Sequence, residues 1–361
     1  MEKKSSLALL AGVIVIILMI PVQGLCASSP STAQPSLSLK FSSPWFESNI
    51  WSKPGKLFVE RITQATGGRI SFQTFYGGTL TKPMETLEAV QHRVVDVCIS
   101  TSLYAPGKLL LPDFDFSFWF NTPDMSTRSK VKREMYSRIP AFNNELAKFS
   151  VGPRILFGAN PTNEILSRKP IKSLEDLKGK RISFMGTAAV PAFTAVGAIP
   201  VMAPATEYYE RLERGVIDAV FLPLNNCYAF KLYEVAKHFT SGGFLGTCPV
   251  EIWINMDVWK ALKPEDQKLF IEIGKEGDAL QISEGNKELE AGREAFKKAG
   301  VAFYTMPPAD IKKWANTMPD IVADWAKKME GAGLPGWSIV DTYNKLIKEA
   351  GWQYPRQWGV R

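Results

Sequence analysis

The sequence predicts an α/β protein of two lobes with a cleft between them. Strands and amphipathic helices alternate along most of the chain, and one alternation occurs twice. LEAVQHRVVDVCIS (87–100) and YERLERGVIDAVFL (209–222) each lead from a helix, through a turn and a branched pair, to an aspartate and an apolar strand. Short crossovers between such elements build parallel sheets with covered faces. Two such lobes, joined by crossing segments, leave a cleft that strand C-termini and helix N-termini face.

The first half of the chain predicts three strands and two helices. Apolar or alternating runs indicate strands, and amphipathic runs that end at turn residues indicate helices. Gly67 and Gly68 follow the first of these helices. The predicted order is strand 37–42, helix 54–65, strand 70–75, helix 84–91 and strand 95–100.

The second half repeats this order and adds a long helix. The predicted elements are strand 181–184, helix 188–196, strand 199–202, helix 206–214, strand 217–222 and strand 251–256. Pro264, followed by two acidic residues, is a good helix start. It opens a polar-faced helix to about residue 299, in which four glycines predict bends. The remaining C-terminal segment is predicted to be helical and to pack across the lobes.

The amino terminus has the pattern of an export signal. Lysines precede an apolar run at 7–20, and small residues follow it. A helix of that run is roughly 21 Å long, which is less than the hydrocarbon core of about 30 Å. The pattern predicts a signal peptide cleaved near Ala27 or Ser28, and a protein of the periplasm. A lipid anchor at Cys26 is disfavoured, because the three residues before it make a poor lipidation motif.

These patterns divide the chain into five parts. They are a signal peptide at 1–27, a flexible leader rich in Ser, Ala and Pro at 28–36, the first part of lobe 1 at 37–160, the main part of lobe 2 at 161–250, and a shared part at 251–361. The shared part contains the returning strand, the long spanning helix and the C-terminal helices.

The distribution of charge argues against nucleic acid as a partner. The formal net charge is +7, from 43 Lys and Arg against 36 Asp and Glu. The basic residues are spread along the chain and alternate with acids, which is typical of solvated helix faces. A mildly basic surface still favours anionic solutes.

No combination of residues predicts catalysis. The chain has 2 histidines, His92 at the end of a helix and His238 in a polar segment. A serine or cysteine nucleophile without a placed histidine lacks its usual base. The zinc-protease, hydrolase-elbow, dinucleotide and phosphate-loop motifs are missing from the sequence. We therefore expect a protein that is not an enzyme and uses no cofactor and no metal.

The cysteines lack metal-ligand spacing. Cys98 lies in an apolar strand pattern and is predicted to be buried. Cys227 and Cys248 would be able to pair in an oxidising compartment, but sequence does not fix the geometry that a disulfide needs. Free thiols are favoured, and the pairing stays open.

Several motifs occur in order over nearly the whole chain after the leader. They are GGRISFQTFYGGTL, METLEAVQHRVVDV, SLEDLKGKRISF, VGAIPV, EYYERLERGVIDAV, KLYEVAKHFT and INMDVWKALKPEDQKLFIEI. In these motifs the chain resembles the solute-binding subunits of tripartite ATP-independent periplasmic (TRAP) transporters, the DctP-like family. The resemblance implies a two-lobed periplasmic binding protein, type II-like, with a long helix spanning both lobes. It further implies a monomer that closes on a small-molecule solute and delivers it to the sodium-coupled TRAP membrane permease subunits.

The resemblance also shows where this chain departs from its relatives. Family members carry an arginine on the strand after the DLKG turn, and this arginine clamps a carboxylate of the ligand. Ser183 occupies that position here. A second arginine of some relatives corresponds to Asn163, and an acidic residue of others corresponds to Thr101.

The resemblance therefore implies an apolar and uncharged cleft. The predicted ligand-binding residues are Trp45, Phe46, Thr101, Ser102, Asn163, Ser183, Phe184, Phe221, Leu222 and Asn225. An unpaired buried carboxylate is costly. Either an acid is held by neutral groups and a basic residue that the sequence does not identify, or the ligand is uncharged. An aromatic or branched organic acid, or a neutral aromatic compound, suits this cleft.

Alternatives remain open at this point. Phe184 and Phe221 end apolar strands, so they are explained equally well as core residues. A register shifted by two residues returns Arg181 to the clamp position and predicts a binder of small dicarboxylates or sugar acids. The two-lobed architecture also serves binding subunits of ABC importers, sensors and periplasmic enzymes.

Overall fold

The protein is described by a computed structural model that covers residues 37–184, 188–246 and 250–361. Its strands are β1 (Leu37–Ser42), β2 (Ile70–Phe75), β3 (Val97–Ser100), β4 (Asn163–Ser167), β5 (Arg181–Phe184), β6 (Ile199–Met202), β7 (Ala219–Leu222), β8 (His238–Leu245), β9 (Glu251–Ile254) and β10 (Ala302–Thr305). Its α-helices are α1 (Lys53–Ala65), α2 (Thr86–Gln91), α3 (Met125–Arg138), α4 (Ala141–Ala147), α5 (Val190–Ala195), α6 (Tyr208–Glu213), α7 (Leu224–Ala229), α8 (Met256–Ala261), α9 (Pro264–Lys298), α10 (Pro308–Thr317), α11 (Ile321–Gly331) and α12 (Gly336–Glu349).

Two sheets form the two lobes. Lobe 1 has the strand order β2-β1-β3-β9, and lobe 2 has the order β10-β8-β4-β7-β5-β6. The two-lobed α/β prediction is confirmed, but the sheets are mixed rather than parallel. β9 is antiparallel to β3, and β4 is antiparallel to β7 and β8. Both strands enter their sheet from the other lobe. They therefore start at the edge where the parallel strands end, and run the opposite way.

The chain crosses between the lobes several times. Trp119 pairs with Leu245 of β8 in lobe 2, whereas the amide of Ile155 bonds to Ile252 of β9 in lobe 1. Residues 156–162 then return to lobe 2, and β9, the next strand after β8, lies in the sheet of lobe 1. These crossings connect the edges at which the parallel strands end, so that edge of each sheet faces the cleft.

The long helix α9 spans both lobes, as predicted. Near its start Phe270 packs against Phe58 of α1 in lobe 1, with ring centroids 5.1 Å apart. Near its end Phe296 packs against Tyr233 in lobe 2, at 5.3 Å. The glycines that predicted bends do not interrupt the helix, because residues Pro264–Lys298 form one continuous helix. Its glycines instead permit close packing.

Gly274 shows this most clearly. A Cβ at Gly274 would lie 2.5 Å from the carbonyl oxygen of Ile155, on the segment that α9 covers. We expect Gly274→Ala to destabilise the protein by about 1–3 kcal/mol, although alanine favours a helix, because the backbone has to move. Gly331→Ala is the matched control, since nothing lies within 4 Å of a Cβ there. Chemical denaturation of both variants checks this; equal stabilisation of both would contradict the close approach.

The largest core cluster lies between the lobe 2 sheet and the C-terminal helices. Its centre is an aromatic cluster of five rings in mutual contact, Trp119, Phe193, Phe221, Phe244 and Trp314. The other face of the same sheet packs around Leu166, Tyr208 and Phe296. The lobe 2 sheet is thus covered on both faces, as the sequence predicts.

Some predictions fall on residues outside the described ranges. The signal peptide, its cleavage site, Cys26 and the leader belong to this group, and so does Cys248. Cys98 and Cys227 are buried, and neither forms a disulfide with another described residue. Among the described helices, none is both long and apolar enough to cross a bilayer.

Candidate functional site

The candidate site is formed where strand ends of the two lobes face each other. Lobe 1 contributes the residues that follow β1 and β3, and the start of β9. Lobe 2 contributes the start of β4, the ends of β5 and β7, and the end of β8. Of the predicted residues, Trp45, Phe46, Thr101 and Ser102 lie on the first edge. Asn163 and Asn225 lie on the second, where β5 and β7 also end, with Phe184 and Leu222.

An aromatic lip projects from lobe 1. We define it as Trp45, Phe46, Trp51 and Tyr104. Trp45 is half-buried, with its ring 5.3 Å from Trp51 and 5.9 Å from Tyr104. Phe46 is 76% exposed, which is unusual for such a large apolar side chain. The lip therefore offers ring faces at the edge of the cleft.

Backbone and hydroxyl contacts fix this lip in place. The carbonyl oxygen of Trp45 accepts hydrogen bonds from the Gly77 amide at 2.8 Å and the Ser52 hydroxyl at 3.2 Å. The Ser52 and Ser43 hydroxyl oxygens are 2.8 Å apart, and the Trp45 amide donates to Ser43. A rigid lip loses little conformational entropy when a ligand packs on it.

Behind the β3 end lies a buried charged network. The Ser102 hydroxyl donates to Asp113 at 2.7 Å, and its oxygen is 3.4 Å from Oε1 of Glu251. Glu251 forms an ion pair with Arg154, and both side chains are fully buried. The Arg154 guanidinium lies 4.3 Å from the ring centroid of Tyr136.

The network places buried carboxylates behind the lobe 1 edge. Oε2 of Glu251 also accepts a hydrogen bond from Nε1 of Trp253 at 2.8 Å. Burial raises the pKa of Asp113 to about 6, an effect that the hydrogen bond from Ser102 opposes. The Ser102 hydroxyl is thus engaged by the carboxylates of Asp113 and Glu251, and its contact with a ligand stays a prediction. Thr101 is buried beside it and accepts from the Leu103 amide at 3.4 Å.

The edge of lobe 2 carries neutral polar groups. Asn163 starts β4 and is partly exposed. Asn225, on α7, is buried, and its Nδ2 donates to Glu288 of α9 at 3.2 Å. Its Oδ1 has no hydrogen-bond partner in the described part of the chain. The two asparagines therefore offer amide groups at this edge.

Four other predicted residues lie in the core of lobe 2. Ser183 is fully buried, and its hydroxyl donates to the carbonyl oxygen of Val201 at 2.8 Å. Phe184 stacks on Phe193 at 5.6 Å, and Phe221 stacks on Trp119 at 5.4 Å. Leu222 packs on the opposite face of the sheet. For Phe184 and Phe221 the structure agrees with the alternative that they are core residues. Contact of these four residues with a ligand stays a prediction.

Arg181, the alternative clamp, lies at the other end of β5. Its guanidinium donates to both carboxylate oxygens of Asp218, at 2.9 and 3.0 Å, and to the carbonyl oxygen of Gly215 at 2.7 Å. These bonds raise the pKa of Arg181 and lower that of Asp218. Arg181 is therefore occupied, at the end of the strand remote from the cleft.

A recess of about 230 Å³ lies at this remote end too. It is lined by Arg168, Lys169, Lys180 and Asp218 among others. Arg168 and Lys169 follow the end of β4, whereas the cleft edge is at its start. The recess is thus separated from the lip by the length of the lobe 2 sheet, and we do not assign the solute to it.

Glu164 is the most perturbed carboxylate at the lobe 2 edge. It is buried, and it accepts hydrogen bonds from the amides of Gly242 and Gly243 and from the Thr162 hydroxyl, at 2.8–3.3 Å. Burial raises its pKa from 4.5 to about 7, against these hydrogen bonds. It holds the four-residue bulge of β8 against β4.

This pKa predicts a pH-dependent stability. Between about pH 4.5 and 7 the folded state keeps a proton on Glu164 that the unfolded state has lost, so stability falls as pH rises through this window. Glu164→Gln removes the titration but keeps an acceptor. We expect its melting temperature to rise relative to wild type between pH 5 and pH 8. A difference that is constant over this range would contradict the raised pKa.

Sequence reasoning missed the network and part of the lip. Arg154 and Glu251 carry no motif, and their burial follows from tertiary contacts between segments far apart in sequence. Tyr104 had a usable signal, because an aromatic residue follows Thr101 and Ser102 at the end of a predicted strand. Among the described residues, no group of three or more His, Cys, Asp and Glu is placed to hold a metal ion.

Two α/β lobes joined by crossings, with aromatic and polar side chains on the facing edges, are the architecture expected of a two-lobed solute-binding protein. The chain belongs to the bacterial extracellular solute-binding protein family 7, the DctP family, whose model matches residues 41–328. The resemblance that the motifs indicated is thereby confirmed.

Named relatives show the breadth of this family. The C4-dicarboxylate-binding periplasmic protein DctP of Rhodobacter capsulatus is 25% identical over 312 residues, or 84% of this chain and 91% of the relative. A TRAP periplasmic solute binding protein from Desulfovibrio salexigens has a similar crystal structure, with a TM-score of 0.78 at 20% identity over 87% of this chain and 96% of that one. Another from Bordetella bronchiseptica, with bound (R)- and (S)-mandelate, has a TM-score of 0.70 at 24% identity, covering 87% and 99%.

Proposed function

We propose that this protein is the periplasmic, monomeric solute-binding subunit of a TRAP transporter, and that its solute is an aromatic organic acid. It captures the acid between the two lobes and delivers it to sodium-coupled permease subunits. It performs no catalysis. Family membership supports the transport role, and the aromatic lip supports the solute class.

The lip is the observation that carries the choice of solute. The backbone of Trp45 is held by hydrogen bonds, its ring contacts two other rings of the lip, and Phe46 leaves most of its surface to solvent. Aromatic rings stack on one another with a gain of about 0.5–1.5 kcal/mol beyond the area that they bury. Ligand rings placed against Trp45 and Phe46 would gain this, whereas a small dicarboxylate would not. The Bordetella relative, whose structure has bound mandelate, supports a ligand of this class.

A thermal-shift panel tests the proposal. The probes are mandelate, phenylacetate, succinate and glucuronate, each with its amide as an uncharged partner. A ligand present at 100 times its dissociation constant adds about 2.7 kcal/mol to stability. We expect the aromatic acids to raise the melting temperature most. A larger shift with succinate or glucuronate would reject the aromatic class and favour the dicarboxylate or sugar-acid alternative.

We expect Trp45→Ala to weaken binding of the best aromatic acid by about tenfold or more, since it removes a ring of the lip. Trp337→Ala is the matched control, because Trp337 is a half-buried tryptophan of α12 that contacts Arg361. Calorimetric titration of the two variants compares their affinities. Equal affinity in the Trp45 variant would remove the lip from the site.

A further inference from the structure

A buried arginine other than Arg181 lies beside the crossings between the lobes. Arg128 is on α3 and is 7% exposed. One Nη donates to the carbonyl oxygen of Asn160. Nε has no hydrogen-bond partner among the described residues.

The position of Arg128 is set by two of the crossings between the lobes. Asn160 lies in the crossing 156–162, just before β4. Gly246 follows β8 directly, and a Cβ built on Gly246 would lie 3.0 Å from the other Nη of Arg128. The guanidinium thus lies between Asn160 and Gly246, which border the start of β4 and the end of β8, and glycine leaves room for it.

No acid within the described ranges forms an ion pair with Arg128. The two aspartates that act on its charge, Asp115 and Asp124, have other partners. Asp115 pairs with Lys132 at 3.1 Å, and Asp124 accepts from the Thr127 amide at 2.7 Å, at the start of α3. Burial lowers the pKa of Arg128, an effect that Tyr343, Asp115 and Asp124 oppose without forming an ion pair with it.

A buried cation with an open hydrogen-bond donor beside the cleft edge of lobe 2 is stabilised by an anion. We infer that Arg128 binds the carboxylate of the solute. This inference rests on the proposed function and deepens it. Guanidinium donors bind a carboxylate through two parallel bonds, so Arg128 would orient the acid while the lip holds its ring.

The test compares Arg128→Gln, Arg128→Lys and Arg181→Gln with wild type. The probes are mandelate, its uncharged analogue mandelamide, and succinate. We expect Arg128→Gln to bind the preferred acid at least tenfold more weakly, and to lose the preference for acid over amide. Arg128→Lys retains part of that preference, and Arg181→Gln matches wild type. Wild-type preference for the acid in Arg128→Gln would overturn the inference, as would wild type that binds only the amide.

The same experiment separates this inference from the proposed function. If succinate binds wild type better than mandelate, the aromatic class fails, and Arg128 is then tested with succinate. The ligand-free melting temperature supplies a second readout. Glutamine keeps a donor for Asn160 but removes the uncompensated charge, so Arg128→Gln without ligand melts at or above the wild-type temperature. A fall of several degrees would show that Arg128 stabilises the ligand-free fold, and it would overturn the assignment of Arg128 to the solute.

Discussion

Glu251→Gln is expected to destabilise the protein by about 3–5 kcal/mol, because it leaves Arg154 charged and fully buried without its partner. The expected fall in melting temperature is about 10 °C. Arg154→Met is expected to destabilise the protein by a similar amount. It leaves the Glu251 carboxylate, which Ser102 and Trp253 also contact, buried without its cation. Thermal and chemical denaturation measure both.

A double variant separates the pair from its surroundings. Arg154→Met with Glu251→Leu removes both charges, and it should recover most of the loss, because an apolar replacement of a buried ion pair is often neutral. Glu210→Gln is the control, as it breaks an exposed pair with Arg214 and should change stability by less than about 1 kcal/mol. If Glu251→Gln matched this control, the buried pair would not stabilise the lobe 1 edge.

Phe221→Ala is expected to cost about 3–5 kcal/mol, irrespective of any ligand. Phe221 stacks on Trp119 with an interplanar angle of 5°, and Phe193 meets its edge at 5.1 Å. Removal of the ring leaves a cavity in the aromatic cluster. Phe221→Asp would bury an unpaired carboxylate there and should abolish folding.

Phe46→Ala is the matched control for this prediction, because the same side chain is 76% exposed at the lip. It should leave the ligand-free stability within about 0.5 kcal/mol of wild type and affect binding alone. Chemical denaturation without ligand gives both values. Wild-type stability in Phe221→Ala would place Phe221 at a cleft surface, as the sequence first suggested.

The pattern of the sequence predicted the strands and the spanning helix well, because periodicity and caps are local. The strands Leu37–Ser42, Ile70–Phe75, Arg181–Phe184 and Ile199–Met202 have the predicted bounds. β4, β8 and β10 were missed, and β10 lies in the C-terminal segment that was predicted to be helical. β4 and β8 depend on pairing across the cleft-side crossings, and β8 contains two glycines and a bulge that conceal its alternation.

The candidate site was harder to predict than the fold. Strand ends place Trp45, Asn163 and Asn225 on the facing edges, and their contact with a ligand stays a prediction. Whether a side chain at a strand end faces the cleft or the core depends on the layers above it, and for Phe221 the C-terminal helices provide such a layer. No sequence pattern marked Arg128, because it lies beside Asn160 and Gly246, which are far from it along the chain.

Hydrogen–deuterium exchange with and without the strongest probe of the panel tests the central claim most directly, namely that one acid is held between the edges of both lobes. We predict slower exchange on both edges, in the segments around Trp45 and Thr101 and in those around Asn163 and Asn225. Protection confined to one lobe, or centred on the recess at Arg168 and Lys180, would contradict it.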